Sequence, residues 1–249
     1  MRYPRYDREA PLSYALGVFP TLELLQHQPR QVREVLFHSS GLRNDGLGKI
    51  RTLCNRLYIP LTQDDKLVER LATKENTYAI GVLEKYTAPI DTQFDQVVLV
   101  NPSDMGNLGT TLRTMLGFGF HDLALIRPAV DLFDPRVIRA SMGAVFQMRF
   151  TYFEDMTTYQ STVPQHTAYA LMTDGRQSLR ETDFQSPFTL WFGNESSGLP
   201  AEVHTWATTV TIPQSSAIDS LNLSIAIGIT LYAASGRNKN RGAVHPPNN

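Results

Sequence analysis

Two hydrophobic periodicities alternate along this chain. Short runs rich in Val, Ile, Leu and Phe read as strands, and stretches with apolar residues three and four apart read as helices. In the first third, strands are predicted over 32–37, 57–59 and 78–83. A turn followed by a helix is predicted over 16–25, with Pro20 near its start, and further helices over 46–54 and 66–71. Residues 1–13 read as an irregular arm and 14–85 as a small α/β unit. The polar stretch 86–93, which holds Pro89, reads as a linker.

Beyond residue 94 the alternation is sharper. Strands are predicted over 94–100, 122–126, 145–151, 168–172, 188–192 and 208–212, and helices over 108–118, 136–142, 154–160, 200–206 and 221–235. Alternation of this kind predicts an α/β domain over 94–236, built on a parallel sheet with covered faces. Ligands of such sheets sit beyond the carboxyl ends of the strands. Residues 237–249, rich in Asn, Pro and Gly, read as a disordered tail.

Composition narrows the picture only a little. A chain of 249 residues holds one large domain or two small ones. It has no apolar run long enough for a membrane span, and its first residues lack the apolar core of a signal peptide. Cys54 is the only cysteine, so an intrachain disulfide and a cysteine-rich zinc site are excluded, and a reducing, cytoplasmic setting fits. The net charge of −1 does not mark a nucleic-acid binder. Its distribution is uneven. Arg30, Arg33, Arg43, Lys49, Arg51 and Arg56 face only Glu34 and Asp45 in their stretch, and the tail carries Arg237, Lys239 and Arg241. Local excesses of this kind suit phosphates, although a solvated basic surface explains them equally well.

Three junctions between a strand and a helix carry the candidate chemistry. In the first, Gly106-Asn107-Leu108-Gly109 opens a helix that includes Arg113. The free N–H groups there can hold an anion, and Arg113, under two turns past Asn107, can point toward the same end of the sheet with a guanidinium that suits phosphate. Alternatively, Asn107 caps the helix and Arg113 is a surface charge. In the second, Gly193-Asn194-Glu195-Ser196-Ser197-Gly198 places a carboxylate in a glycine-bounded turn at a strand's end. Glu195 could accept hydrogen bonds, pair with Arg113 or orient a ligand, or it could simply cap the helix beginning near Pro200. In the third, Ile212-Pro213 leads to Asp219-Ser220-Leu221-Asn222-Leu223-Ser224 at the start of an apolar helix. Asp219 or Ser220 is expected to cap that helix, whereas Asn222 has no packing reason to be there. The first junction is not a dinucleotide or Walker loop, and the second is not a nucleophile elbow. An oxidoreductase and a serine hydrolase are therefore disfavoured.

Together the three junctions resemble the motifs of the SpoU (TrmH-like) family of RNA methyltransferases. Asn107, Gly109 and Arg113 are similar to the first motif, and Arg139-Ala-Ser141-Met-Gly143-Ala to the segment that follows it. Gly193, Asn194, Glu195 and Gly198 match the second motif, and Ser220, Asn222 and Ser224 the third. The loop that opens Asn101-Pro102 looks longer than the family's Asp-Pro-x-Asn form.

The resemblance implies a deep trefoil knot at the C-terminal end of the α/β domain, and a homodimer with the site near the subunit interface. It implies S-adenosylmethionine as cofactor, held by Leu171, Thr173, Gly193, Glu195, Ile212, Leu221 and Asn222. The acceptor is then a ribose 2′-hydroxyl in RNA, ribosomal rather than transfer RNA. Asn107, Arg113, Glu195, Ser220 and Asn222 are the implied catalytic residues. Arg113 is either the base or, since a guanidinium hardly releases its proton, the ligand of the target's phosphate. The front domain resembles small ribosomal RNA-binding proteins, and Arg30, Arg33, Arg43, Arg139 and Ser141 are expected to meet RNA. No metal is expected. The alternative is a catalytically silent RNA-binding protein of the same knotted fold.

Overall fold

The computed structural model describes residues 3–74 and 76–237. It divides into two units. The first takes Met1–Thr87, Leu108–Arg113 and Asp131–Gln147, and the second takes Ala88–Asn107, Thr114–Val130 and Met148–Asn249.

The first unit is organised by the alternation of its strands. β1 (Leu12–Leu16), β2 (Val32–Phe37), β3 (Leu61–Gln63) and β4 (Ala79–Glu84) form one sheet in the order β1-β4-β2-β3. Leu36, Ile80 and Val82 point to one face and pack with Leu67, Val68 and Leu71 of helix α3 (Asp65–Leu71). Val35, Phe37 and Ala79 point to the other. There they meet Leu25 of α1 (Val18–His27) and Leu47, Ile50 and Cys54 of α2 (Asp45–Leu57). This is the period of two expected of a strand with both faces covered.

Two expectations change here. Leu12 and Ser13 belong to β1, which pairs antiparallel with β4, so the described part of the arm is irregular only over residues 3–11. Residues 57–59 are not a strand. α2 runs on to Leu57, the chain turns at Tyr58 in a left-handed conformation, and the strand starts after Pro60. A short apolar run cannot by itself be assigned to helix or strand.

The second unit holds β5 (Gln96–Val100), β6 (Asp122–Ile126), β7 (Arg149–Phe153), β8 (Thr167–Leu171), β9 (Gln177–Ser178), β10 (Phe188–Phe192) and β11 (Thr208–Thr211). All seven are parallel, in the order β7-β6-β5-β10-β8-β11-β9. The chain is thus α/β with a parallel sheet, as its alternation predicts. Every residue of β5, β6 and β10 is buried, which explains why they are apolar but for Gln96, Asp122 and Thr189. The order reverses between β5 and β10, and Leu99 pairs with Phe192. The loops leaving these two strands therefore start side by side.

Helix α4 (Met105–Gly117) follows β5, α6 (Met156–Thr162) follows β7, and α7 (Leu223–Arg237) ends the described chain. The expected helix over 136–142 is α5 (Pro135–Ala140), and it belongs to the first unit. The expected strand over 145–151 begins only at Arg149. Its first part, Ala144–Gln147, is a 3₁₀ turn with Val145 and Phe146 buried. The segment expected as a helix over 200–206 is likewise a 3₁₀ turn, Ala201–Thr205. Among the described residues no helix is long and apolar enough to cross a membrane. The tail's Lys239 and Arg241, with all of 238–249, lie outside the described residues.

Candidate active site

The loop after β5 begins with Asn101 in a left-handed conformation (φ 51°). Asp104 caps α4, its carboxylate accepting the Asn107 N–H at 2.6 Å. Asn107 is therefore not the cap, and its amide is free to work outward. With Asp104 as cap and Met105 in the first helical position, Asp104-Met105-Gly106-Asn107 has the spacing of the Asp-Pro-x-Asn form, Met standing where Pro is favoured. The loop is not longer than that form. Its register is set by the cap.

The loop after β10 is shaped by its glycines. A Cβ on Gly193 would lie 2.1 Å from the carbonyl carbon of Gly198, so the backbones touch there. Gly198 has φ 67° and donates its N–H to the Asn194 carbonyl at 2.9 Å. Asn194 Oδ1 accepts from the Ser196 N–H at 2.9 Å and from its hydroxyl at 2.7 Å. Asn194 Nδ2 donates to the Asn101 carbonyl at 2.7 Å, tying this loop to the one after β5.

These constraints hold Glu195 in a web of neutral donors. Its Oε2 accepts from Ser103 Oγ at 3.0 Å and from Asn194 Nδ2 at 3.3 Å, and its Oε1 from Asn107 Nδ2 at 3.4 Å. Asn107 Oδ1 accepts in turn from Asn222 Nδ2 at 3.0 Å. Asn222 Oδ1 accepts from the Ser224 N–H at 2.9 Å and from Ser224 Oγ at 2.7 Å. Asn222 therefore caps α7, and neither Asp219 nor Ser220 does. Its placement has a structural reason that periodicity alone did not supply.

Around this web lies a cleft of about 820 Å³ at the carboxyl ends of β5, β8, β10 and β11. All seven residues expected to hold the cofactor line it: Leu171, Thr173, Gly193, Glu195, Ile212, Leu221 and Asn222. So do Asn107 and Ser220. Asp174, Glu195 and Asp219 are its acidic lining residues, and among the described residues no Lys or Arg lines it. Asp174 is paired with His204 at 3.2 Å.

Arg113 does not line the cleft. It is exposed on α4, six residues past Asn107, and makes no ion pair among the described residues. Six residues of helix are about 9 Å along the axis and about 120° round it, so the two side chains leave α4 in different directions.

The residues expected to meet RNA differ among themselves. Arg30 and Arg43 are exposed. Arg33 is bound to Glu84 through Nε at 2.6 Å and through a second guanidinium contact. Arg139 reaches Thr73 Oγ1 at 3.5 Å. Ser141 is 1 % exposed and donates to the Ile138 carbonyl at 2.9 Å, so it closes α5 and is not presented to a ligand. Ser103 and Asn101 join the site although no motif position falls on them. Their only trace in the sequence is their place just after an apolar strand. Among the described residues no group of three or more His, Cys, Asp or Glu could hold a metal.

The sequence matches the SpoU rRNA Methylase family over residues 96–232, more than half of the chain. The chain belongs to this family. Within the SpoU family it is 36% identical over 143 residues to an uncharacterized tRNA/rRNA methyltransferase from Synechocystis, covering 55% of this chain and 52% of that one. It is 30% identical over 200 residues to a 23S rRNA (adenosine(1067)-2′-O)-methyltransferase from Streptomyces azureus, covering 75% and 73%. The chain spans about half the length of several curated relatives it matches. Among solved structures, an AdoMet-bound rRNA methyltransferase from Sinorhizobium meliloti aligns with a TM-score of 0.77 at 25% identity, covering 92% of this chain and 88% of that one.

Proposed function

We propose that this chain is an S-adenosylmethionine-dependent methyltransferase of a ribose 2′-hydroxyl in RNA, with ribosomal RNA as substrate. The observation that carries the proposal is the Ser103–Glu195–Asn107–Asn222 web on the rim of a carboxyl-end cleft. The names of the Streptomyces azureus relative and the Sinorhizobium meliloti structure support the substrate and the cofactor.

The cleft's lining suits the cofactor. Leu171, Ile212 and Leu221 offer an apolar wall, and the turns after β8, β10 and β11 offer backbone groups. A lining that, among the described residues, has three carboxylates and no Lys or Arg suits a ligand bearing a sulfonium cation. When bound, S-adenosylmethionine supplies a methyl group activated by that positive sulfur.

The chain's own residues do the rest. Glu195 and Asn107 orient the ribose hydroxyl, and Asn222 fixes Asn107. Ser220 holds the substrate at the rim. Arg113, exposed on α4 outside the cleft, binds the target's phosphate, since a guanidinium hardly releases its proton. In-line transfer depends on holding oxygen, methyl and sulfur in one geometry.

The proposal extends to the assembly. The C-terminal end forms a trefoil knot, and the first unit is the RNA substrate domain. Two chains pair through the second unit, where Ile225, Ile229 and Tyr232 are 53%, 39% and 71% exposed at helical spacing on α7. The setting is the cytoplasm. Transfer of labelled methyl from S-adenosylmethionine into RNA from cells lacking the protein, followed by ribose-methylation mapping, tests the reading. One new 2′-O-methyl site is expected. No cofactor binding by calorimetry would overturn it.

A further inference from the structure

At two positions of helix α2 the fold of the first unit does not require the residue type found there. Tyr58 follows the helix at φ 56° and ψ 34°, its N–H closing on the carbonyls of Asn55 and Cys54. Gly or Asn usually takes this left-handed place, because a Cβ is penalised there. The Tyr58 side chain is 94% exposed, so burial does not offset the penalty. Gly48 stands within α2 at a point where a Cβ would meet nothing within 4 Å. Gly46, at the start of the helix on its packed side, has a reason to be glycine, since its Cβ would lie 2.3 Å from Val18 Cγ1. Gly48 has no such reason, and an interior helical glycine destabilises.

Both lie on or beside the exposed face of α2. Lys49, Thr52 and Arg56 follow one another along it at spacings of three and four, with Arg51 and Asn55 on its flank, and all five are exposed. Lys49, Arg51 and Arg56 make no ion pair among the described residues, whereas Arg33 is tied to Glu84. Asp45, in the first turn, is the helix's one carboxylate. The face thus offers three uncommitted cations, a small-residue centre at Gly48 and Thr52, and an open aromatic ring at one end.

We propose that this face of α2 grips an unpaired stretch of RNA. Tyr58 stacks on a base, and Lys49, Arg51 and Arg56 meet the flanking phosphates. An unpaired strand is the occupant that uses both features, because its bases present open π-faces beside a chain of negative charge. A paired helix hides those faces. An acidic peptide would leave the ring unused, and a lipid surface would need more than one apolar anchor. A left-handed aromatic position without burial points to a functional constraint. The inference rests on the RNA-methyltransferase reading and adds the part of the chain that selects the substrate's form.

Fluorescence anisotropy on the full chain tests it, with a short single-stranded RNA, a hairpin with an unpaired loop and a fully paired duplex as probes. Tyr58→Gly is the informative variant, because the backbone there favours glycine and the variant keeps its fold. Its affinity for the single strand and the loop falls about tenfold, and Tyr58→Trp retains it. Lys49→Ala and Arg56→Ala each lower the slope of log affinity against log salt by about 0.7. Equal binding by Tyr58→Gly and the wild type, or an equal loss on the paired duplex, overturns the proposal. If the wild type methylates RNA while Tyr58→Gly is unaffected, only this inference fails. If Tyr58 matters for binding but no methyl is transferred, only the enzymatic reading fails.

Discussion

Asn222 donates to Asn107 across 3.0 Å, joining the cap of α7 to the first turn of α4. Each amide also makes a second contact. Asn107 donates to Glu195, and Asn222 accepts from Ser224. An amide can do both because it carries a donor and an acceptor on one planar group. The pair therefore acts as a unit. Asn107→Ala and Asn222→Ala should each lower turnover about 10²-fold. The double variant should fall well short of the product of the two losses, read from a double-mutant cycle on methyl transfer. Simple multiplication would mean that the contact has no catalytic consequence.

Ser103 sets the direction of the Glu195 carboxylate through its 3.0 Å contact. Hydrogen bonds to charged groups contribute about 1.5–3 kcal/mol. Ser103→Ala should lower kcat at least about tenfold with little change in cofactor Kd. Ser103→Thr, which keeps the hydroxyl, should restore most of it. A loss shared by both variants would point to loop packing instead.

Gly193 and Gly48 respond in opposite directions to the same substitution. Gly193→Ala places a methyl 2.1 Å from the Gly198 carbonyl carbon, so the loop after β10 has to open. Stability should drop by about 3 kcal/mol, and cofactor binding should be lost. Gly48→Ala meets open space and should raise stability by about 0.5–1 kcal/mol. Denaturant melts of the two variants check this.

Cys54 is buried against the first unit's sheet, and burial pushes its thiol from 9.0 up to about 11. The thiolate is the reactive form, so at pH 8 iodoacetamide should label Cys54 only when the chain unfolds. The sign of the linkage follows from the raised value. The folded state's advantage is whole below pH 9.0 and is lost as the pH rises through about 11. Stability measured by urea at pH 8 and pH 10.5 should therefore decline, and Cys54→Ala should flatten that decline.

The exposed face of α7 gives the assembly a direct test. Ile229→Asp introduces a charge between Ile225 and Tyr232. On the proposed pairing, sedimentation should show the wild type as a dimer and this variant as a monomer. A dimer that survives the change moves the interface away from this helix.

Much of the second unit was legible before the structure. Strands 122–126 and 188–192 have the predicted bounds, and β5, β8 and β11 differ by a residue or two. A strand buried on both faces is a continuous apolar run, and such a run is visible in one dimension. The places where these runs meet small and polar residues also marked the cleft, because parallel strands put their carboxyl-end loops on one side. Only the tertiary structure decided which side chains within those loops meet. Ser103 beside Glu195 and Asn194 beside Asn101 are contacts between segments 92 and 93 residues apart, set by the pairing of β5 with β10. It also decided that Asp104, and not Asn107, caps α4, that Ser141 is turned inward, and that Tyr58 ends a helix rather than lying in a strand. Each of these depends on what lies across space from a residue, and hydrophobic periodicity records only whether that residue is buried, not which neighbour buries it.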